Sequence, residues 1–199
     1  MISMYRMKAL AQVTPRNTPR HTLRNPDGGS DKEADKKTVK EADKESGKGR
    51  RIQVRKSGVH GKGVFALRAI ASGEAIIEYT GEIISWKEAL RRHPHDANDP
   101  QHTFYFHIDE GHVIDALYGG NASRWINHAC EPNCEADESD GRVFIKALAD
   151  LSPGEELFYD YGLVIDERLT PKLKKQYECR CGSAICRRTM LAPKRRAAR

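Results

Sequence analysis

The densest run of chemically capable side chains is Arg124–Cys134, RWINHACEPNC. It sets an amide, an imidazole and two thiols beside an indole, and Pro132 forbids a continuous helix through them. Asn127 can donate and accept at once. A second group is the C-x-C-x4-C spacing of Cys179, Cys181 and Cys186. Three thiolates need a fourth ligand to close a tetrahedral zinc; otherwise they are free or redox-active thiols. In Glu155–Gly162, EELFYDYG, the two tyrosines Tyr159 and Tyr161 share one face of a strand, lining either a pocket or a core, and Asp160 faces the other way. His60–Phe65, HGKGVF, carries Gly61 and Gly63, which either let backbone approach a ligand closely or simply make a turn. Tyr79 opens YTGE after the apolar run AIIE.

These groups must be held by short elements. Ile52–Val54, Gly63–Ala66, Ala75–Tyr79 and Glu82–Ile84 read as strands of a few residues each, broken by glycines. Ser85–Arg92 has a Ser cap, Glu88 three residues on and basic residues at its end, which predicts a helix. Phe104–Asp109 and His112–Asp115 predict a hairpin across Glu110-Gly111, and Asn121–Asn127 predicts one or two helical turns. Glu135–Asp137 and Arg142–Lys146 flank a turn at Ser139-Asp140-Gly141, and Pro153-Gly154 turns the chain into Glu156–Tyr159. The expectation is a mainly β domain with few short helices, unlike an alternating βαβ chain. His93, His95, His102, His107 and His112 crowd one stretch, but no H-E-x-x-H occurs, and the stretch around His93-Pro94-His95 reads as a solvated loop.

The 199 residues suit one ordinary domain, and the net charge of +6 is unevenly spread. Residues 1–50 carry +5, residues 192–199 carry +4, and the stretch between them carries −3. Residues 14–50 hold no aromatic side chain and few large aliphatics, too little to offset about 1–2 kcal/mol of backbone entropy per residue. They read as a flexible Lys-rich arm, with KEADK at 32–36 repeated at 40–44, able to contact DNA phosphates. No apolar run is long enough to cross a bilayer, and the N-terminus has no apolar core of signal-peptide length.

The order GKGVFA, EYTGE, NASRWINHACEPNC, ELFYDYG, CRCGSAICRRTM, over roughly 51–191, resembles the SET-domain protein lysine methyltransferases with a C-terminal post-SET segment. The resemblance implies small curved sheets around a knot-like core in which the NHxCxPNC stretch and the YDY strand thread together. It divides the chain into a disordered basic tail (1–50), a SET domain (51–163), a post-SET segment (164–191) and a basic C-terminal tail (192–199). It further implies methyl transfer from S-adenosylmethionine to the ε-amine of a lysine in a basic protein, a histone or histone-like DNA-associated protein. The cofactor would meet His60, Gly61, Lys62, Gly63, Tyr79, Arg124, Asn127, His128 and Tyr161, with His128 serving through its backbone and not as a general base. Tyr161 matches the family's catalytic tyrosine. Tyr159 matches the position that limits methyl number, and a Tyr there favours mono- or dimethylation. Phe104, with Tyr159, would line the lysine channel, standing where many relatives carry a Tyr; alternation points Tyr105 to the opposite face. A structural zinc would take Cys134, Cys179, Cys181 and Cys186, leaving Cys130 as a small buried hydrophobe.

The compact core looks like bacterial members of the family, acting in the cytoplasm and nucleoid or, as a delivered effector, in a host nucleus. Lysines of residues 32–48 are candidate self-substrates. The competing reading is a non-catalytic, zinc-stabilised module that binds chromatin or nucleic acid.

Overall fold

A computed structural model describes residues 5–7, 49–93, 103–109, 111–165 and 168–193. In chain order the strands are β1 (Tyr5–Met7), β2 (Ile52–Lys56), β3 (Lys62–Ala66), β4 (Ala75–Glu78), β5 (Glu82–Ser85), β6 (Tyr105–His107), β7 (His112–Asp115), β8 (Asn127–His128), β9 (Cys134–Ser139), β10 (Arg142–Ala147), β11 (Phe158–Tyr159) and β12 (Leu163–Ile165). Two short helices, α1 (Trp86–Arg92) and α2 (Pro171–Gln176), and a 3-10 turn at Ala122–Trp125 complete the described elements. The fold is mainly β, as the sequence predicts, and it is built from small sheets.

Those sheets are the hairpin β2-β3 and the three-stranded sets β4-β10-β9 and β5-β7-β6, with two-stranded pairs β8-β11 and β1-β12. The β9-β10 turn works because Asp140 and Gly141 both take positive φ, 54° and 73°, the backbone that matches strand twist in a two-residue hairpin. Val64, Ile70, Ile126, Cys134, Val143, Ile145, Leu151 and Leu157 are almost fully enclosed and form one apolar core between these sheets. Helix α1 begins where Ser85 Oγ accepts from the Glu88 amide at 3.2 Å. Its last residue, Arg92, reaches Glu82, Glu88 and the fully buried Asp115, which ties the helix to β5 and β7.

The pairing that positions the site is β8 with β11. It is parallel, in register Phe158↔Asn127 and Tyr159↔His128. Asn133 extends the join, its Oδ1 accepting from the Phe158 amide at 2.8 Å while its Nδ2 donates to the Glu156 carbonyl at 2.8 Å. Asn127-His128 and Phe158-Tyr159 are thus held side by side by their backbones, despite the 29 residues, including the β9-β10 hairpin, between them.

Two elements depart from the sequence expectation. Tyr5–Met7, inside the stretch read as a tail, pairs antiparallel with β12, Arg6 opposite Val164, and runs close to β6. Its hydrogen-bond partner is another strand's backbone, so the apolar poverty of the neighbouring sequence gives no hint of it. Helix α2 went unread because its apolar face is so short; Thr170 caps it at the Leu173 amide (3.1 Å) and Pro171 occupies its first turn. The lysine-rich repeat at 32–44, the basic end at 194–199, His95 and His102 lie outside the described residues.

Candidate active site and cysteine centre

A cavity of about 590 Å³ is bounded by β8, the turn before β3, α1, β12 and the C-terminal segment. Of the residues expected around a cofactor, His60, Gly61, Lys62, Arg124, Asn127, His128 and Tyr161 line it. Gly61 sits at φ +47°, where a side chain would strain the backbone. At Gly63 a Cβ would lie 2.1 Å from Glu156 Oε1, so the missing side chain makes room for that carboxylate. That carboxylate accepts from Asn127 Nδ2 at 3.0 Å, and the same amide donates to the Lys62 carbonyl at 2.9 Å. With its amide hydrogens taken by the protein, Asn127 is fixed in orientation, and Oδ1 is left as the group able to receive a donor. Arg124 donates Nη1 to the Ala116 carbonyl (2.9 Å) and stacks over Trp125 at 5.0 Å. Its Nε is buried with no hydrogen-bond partner among the described residues. Lys62 Nζ lies 4.4 Å above the same indole.

The aromatic wall is a relay of rings. Tyr159 and Tyr161 have centroids 4.9 Å apart, Phe106 stands 6.4 Å from Tyr159, and Tyr79 stands 5.1 Å from Phe106. Tyr161 donates its hydroxyl to the Ile126 carbonyl at 2.9 Å, and Tyr79 donates to the Phe104 carbonyl at 3.2 Å. Burial pushes the phenols of Tyr79, Tyr159 and Tyr161 well above their usual value, so all three stay protonated at any physiological pH. Phe104 turns its ring edge-on to Trp125 at 5.1 Å. Tyr105 packs in the separate cluster of Ile84, Ala89 and Val113, its hydroxyl on the Ala89 carbonyl at 3.2 Å, so Phe104 and Tyr105 do fall into different clusters. Tyr105 nonetheless borders the far end of the cavity, while Phe104, Tyr79, Gly63 and Tyr159 stand outside its lining.

Phe106, Trp125 and Glu156 were missed by sequence reasoning. Alternation from Phe104 could have found Phe106, since the two share a strand face. Glu156 had no local signal, because its partner Asn127 is 29 residues away.

His128 is a buried, neutral side chain whose basicity falls to about 4, chiefly through burial, against the opposing pull of Asp160. Its Nδ1 accepts from the Tyr161 amide at 3.2 Å, and its Nε2 faces Cys130 Sγ at 3.5 Å. That is a scaffold role. Among the other histidines, His107 is buried on β6 against Trp86 at 5.8 Å, and His112 pairs with Asp109 at 3.1 Å.

The cysteine set differs from expectation by one residue. Cys130, Cys179, Cys181 and Cys186 gather with every pair of sulfurs within 4.8 Å. Cys134 is instead the first residue of β9, fully buried in the main core, with its thiol pushed up to about 12 by burial. The reason is strand geometry. Cys134 is paired with Ala147 in the sheet, whereas Cys130 sits in the free loop after β8, beside the C-terminal segment. Sulfur separations of 3.7 Å (Cys130–Cys179) and 3.9 Å (Cys130–Cys186) approximate the edge of a tetrahedron with metal–sulfur arms of about 2.3 Å. Four soft thiols closed around one point can hold a metal ion of the zinc type.

A family profile described as SET domain matches residues 61–162. The chain belongs to the SET-domain family. It is 36% identical over 141 residues to the histone-lysine N-methyltransferase trithorax of Drosophila melanogaster, covering 69% of this chain and 4% of that protein. The human histone-lysine N-methyltransferase 2B is also 36% identical over 141 residues, covering 69% and 5%. The Arabidopsis thaliana histone-lysine N-methyltransferase ATX2 is 38% identical over 145 residues, covering 69% and 13%. The chain therefore spans a small fraction of the relatives it matches. Among solved structures, a chain of "ctPRC2 in an autoinhibited conformation bound to S-adenosylmethionine" is 36% identical with a TM-score of 0.52, covering 57% of this chain and 15% of that one.

Proposed function

We propose that this SET-domain protein is an S-adenosylmethionine-dependent protein-lysine N-methyltransferase acting on a basic protein of the histone or histone-like class. The observation that supports it best is the meeting of Tyr161 with the polar wall of Lys62, Arg124 and Asn127 around one cavity, with Tyr159 packed against the Tyr161 ring, centroids 4.9 Å apart. The cofactor fits this wall: Arg124 Nε is a buried donor without a partner, and Asn127 Oδ1 faces no protein donor among the bonds its amide makes. Arg124 can receive a carboxylate and Asn127 an ammonium, the two ends of an amino-acid head group. When bound, S-adenosylmethionine supplies a methyl group from its sulfonium.

The protein's own work is positioning. Buried aromatic walls strip water from an incoming lysine and lower its pKa from about 10.4, favouring the neutral nucleophile. Tyr161, held in place by its bond to the Ile126 carbonyl, lines the approach to the cofactor wall and supplies oxygen to orient the reacting groups. Tyr159 narrows the space beside it, which favours mono- or dimethylation. Phenylalanines at 104 and 106 give that region no further hydroxyl.

A zinc held by Cys130, Cys179, Cys181 and Cys186 would lock the C-terminal segment beside Tyr161. Its role is structural, because four protein ligands leave no open position. Substrate lysines in this reading lie on a chromatin-type protein, and the basic ends bring the enzyme to DNA. The lysines of 32–48 are candidate self-substrates. A bacterial nucleoid and a host nucleus are both consistent with such a substrate; among the described residues no helix is long and apolar enough to cross a membrane.

The deciding experiment is transfer of labelled methyl from S-adenosylmethionine to a histone mixture by the full chain. Label in histone lysines is the expected result. Absence of both transfer and cofactor binding would return the protein to the class of non-catalytic chromatin-binding modules.

A further inference from the structure

The turn that carries Tyr161 is held from outside the cavity. Asp160 Oδ1 accepts from the Gly162 amide at 3.0 Å, closing a tight turn in which Gly162 takes φ +55°. The same carboxylate receives a two-pronged guanidinium: Arg187 Nη1 to Oδ2 at 2.7 Å and Nη2 to Oδ1 at 2.8 Å. A fork of this kind fixes both distance and plane, unlike a single point charge. Both side chains are mostly shielded from water, with 35% and 26% of their surface exposed, so the pair is weakly screened.

Arg187 is itself anchored at the other end. Its amide donates to Cys130 Sγ at 3.3 Å, and it directly follows Cys186. The chain of contacts thus runs from the cysteine centre through Arg187 and Asp160 to the backbone on either side of Tyr161. Inside that loop, the Tyr161 amide donates to His128 Nδ1 and its hydroxyl to the Ile126 carbonyl.

We infer that Arg187 is a positioning residue for the reaction: its clamp on Asp160 transmits the order of the cysteine centre to the turn that aims Tyr161. The inference rests on the methyltransferase reading above for its kinetic consequence, though not for its structural one. Burial alone would raise the Asp160 carboxyl; the Arg187 hydrogen bonds, the Gly162 amide and nearby positive charge outweigh it, so the carboxylate is ionised and available to the fork.

The test uses the full chain loaded with metal, in four variants: Arg187→Ala, Arg187→Lys, Asp160→Asn and the Arg187→Ala/Asp160→Asn double. Turnover should fall roughly 10- to 100-fold in Arg187→Ala, as expected of a misaimed group, with KM for a histone peptide within about twofold of the parent. Arg187→Lys should recover part of the loss, and the double variant should be no worse than the poorer single one, because both remove the same clamp. Hydrogen exchange of residues 159–163 should quicken in Arg187→Ala while metal stays at one per chain. Unchanged exchange there, multiplicative losses in the double variant, or a loss of turnover that merely follows loss of metal would each overturn the inference. Tyr161→Phe, run alongside, separates the two claims. Full activity in that variant refutes the catalytic assignment, whereas the exchange data on Arg187→Ala still decide the clamp.

Discussion

Tyr161 and Tyr159 stand two residues apart. In the proposed reaction Tyr161 orients the reacting groups and Tyr159 limits how many methyls fit. Tyr159→Phe, which deletes one hydroxyl from the wall, is expected to move product from mono- and dimethyl-lysine toward trimethyl-lysine, read by mass spectrometry of a histone peptide. An unchanged product distribution would remove Tyr159 from that role. Burial raises the phenols of both tyrosines, so they remain neutral as pH climbs through 10. The only group that must lose a proton is the substrate amine, so kcat/KM should rise with pH from 7 to 9 and show no downturn from tyrosine ionisation. A downturn at pH 9 would mean an exposed, readily ionised phenol. The identities of these residues were legible in sequence because YDY stands in a distinctive order of motifs. Phe106 carries no motif of its own and could be reached only by alternation from Phe104. The roles of Gly63 and Glu156 were hidden because each is defined by the other, 93 positions apart in no local pattern.

At the scale of elements, the short strands and capped α1 were readable because alternation, glycine breaks and a Ser-x-x-Glu cap are local signals. Elements whose reason is a distant partner were not. β1 exists through the backbone of β12, and the exchange of Cys134 for Cys130 follows from where β9 begins. Two cysteine substitutions separate that pair. Cys130→Ser is expected to reduce metal content well below one per chain by elemental analysis and to loosen the C-terminal segment. Cys134→Ala should keep the metal and cost about 1 kcal/mol of stability as a minor core deletion. The reverse pattern would restore Cys134 to the ligand set. Chelation of the metal is expected to lower turnover through the same segment, since Arg187 adjoins Cys186 and grips Asp160.

For the whole molecule the informative quantity is the division of charge. A net of +6 suggests a nucleic-acid binder, but residues 51–191 carry −3 and both ends are basic. In the proposed reaction an acidic region favours encounter with a lysine-rich peptide, and such attraction is screened over about 8–10 Å at physiological salt. Raising salt from 50 to 300 mM is therefore expected to lower kcat/KM for a basic peptide several-fold, mostly through KM. Indifference to salt would leave shape alone to choose the substrate. The family was legible from motif order, whereas no pattern in the sequence names the target lysine. The central claim is methyl transfer directed by Tyr161, and one paired measurement tests it. Full-length protein and its Tyr161→Phe variant are incubated with labelled S-adenosylmethionine and a histone mixture. Label on histone lysines is expected from the parent and at least a 100-fold lower rate from the variant, with cofactor affinity retained in both. Equal rates, or no transfer by a parent that also fails to bind the cofactor, would contradict it.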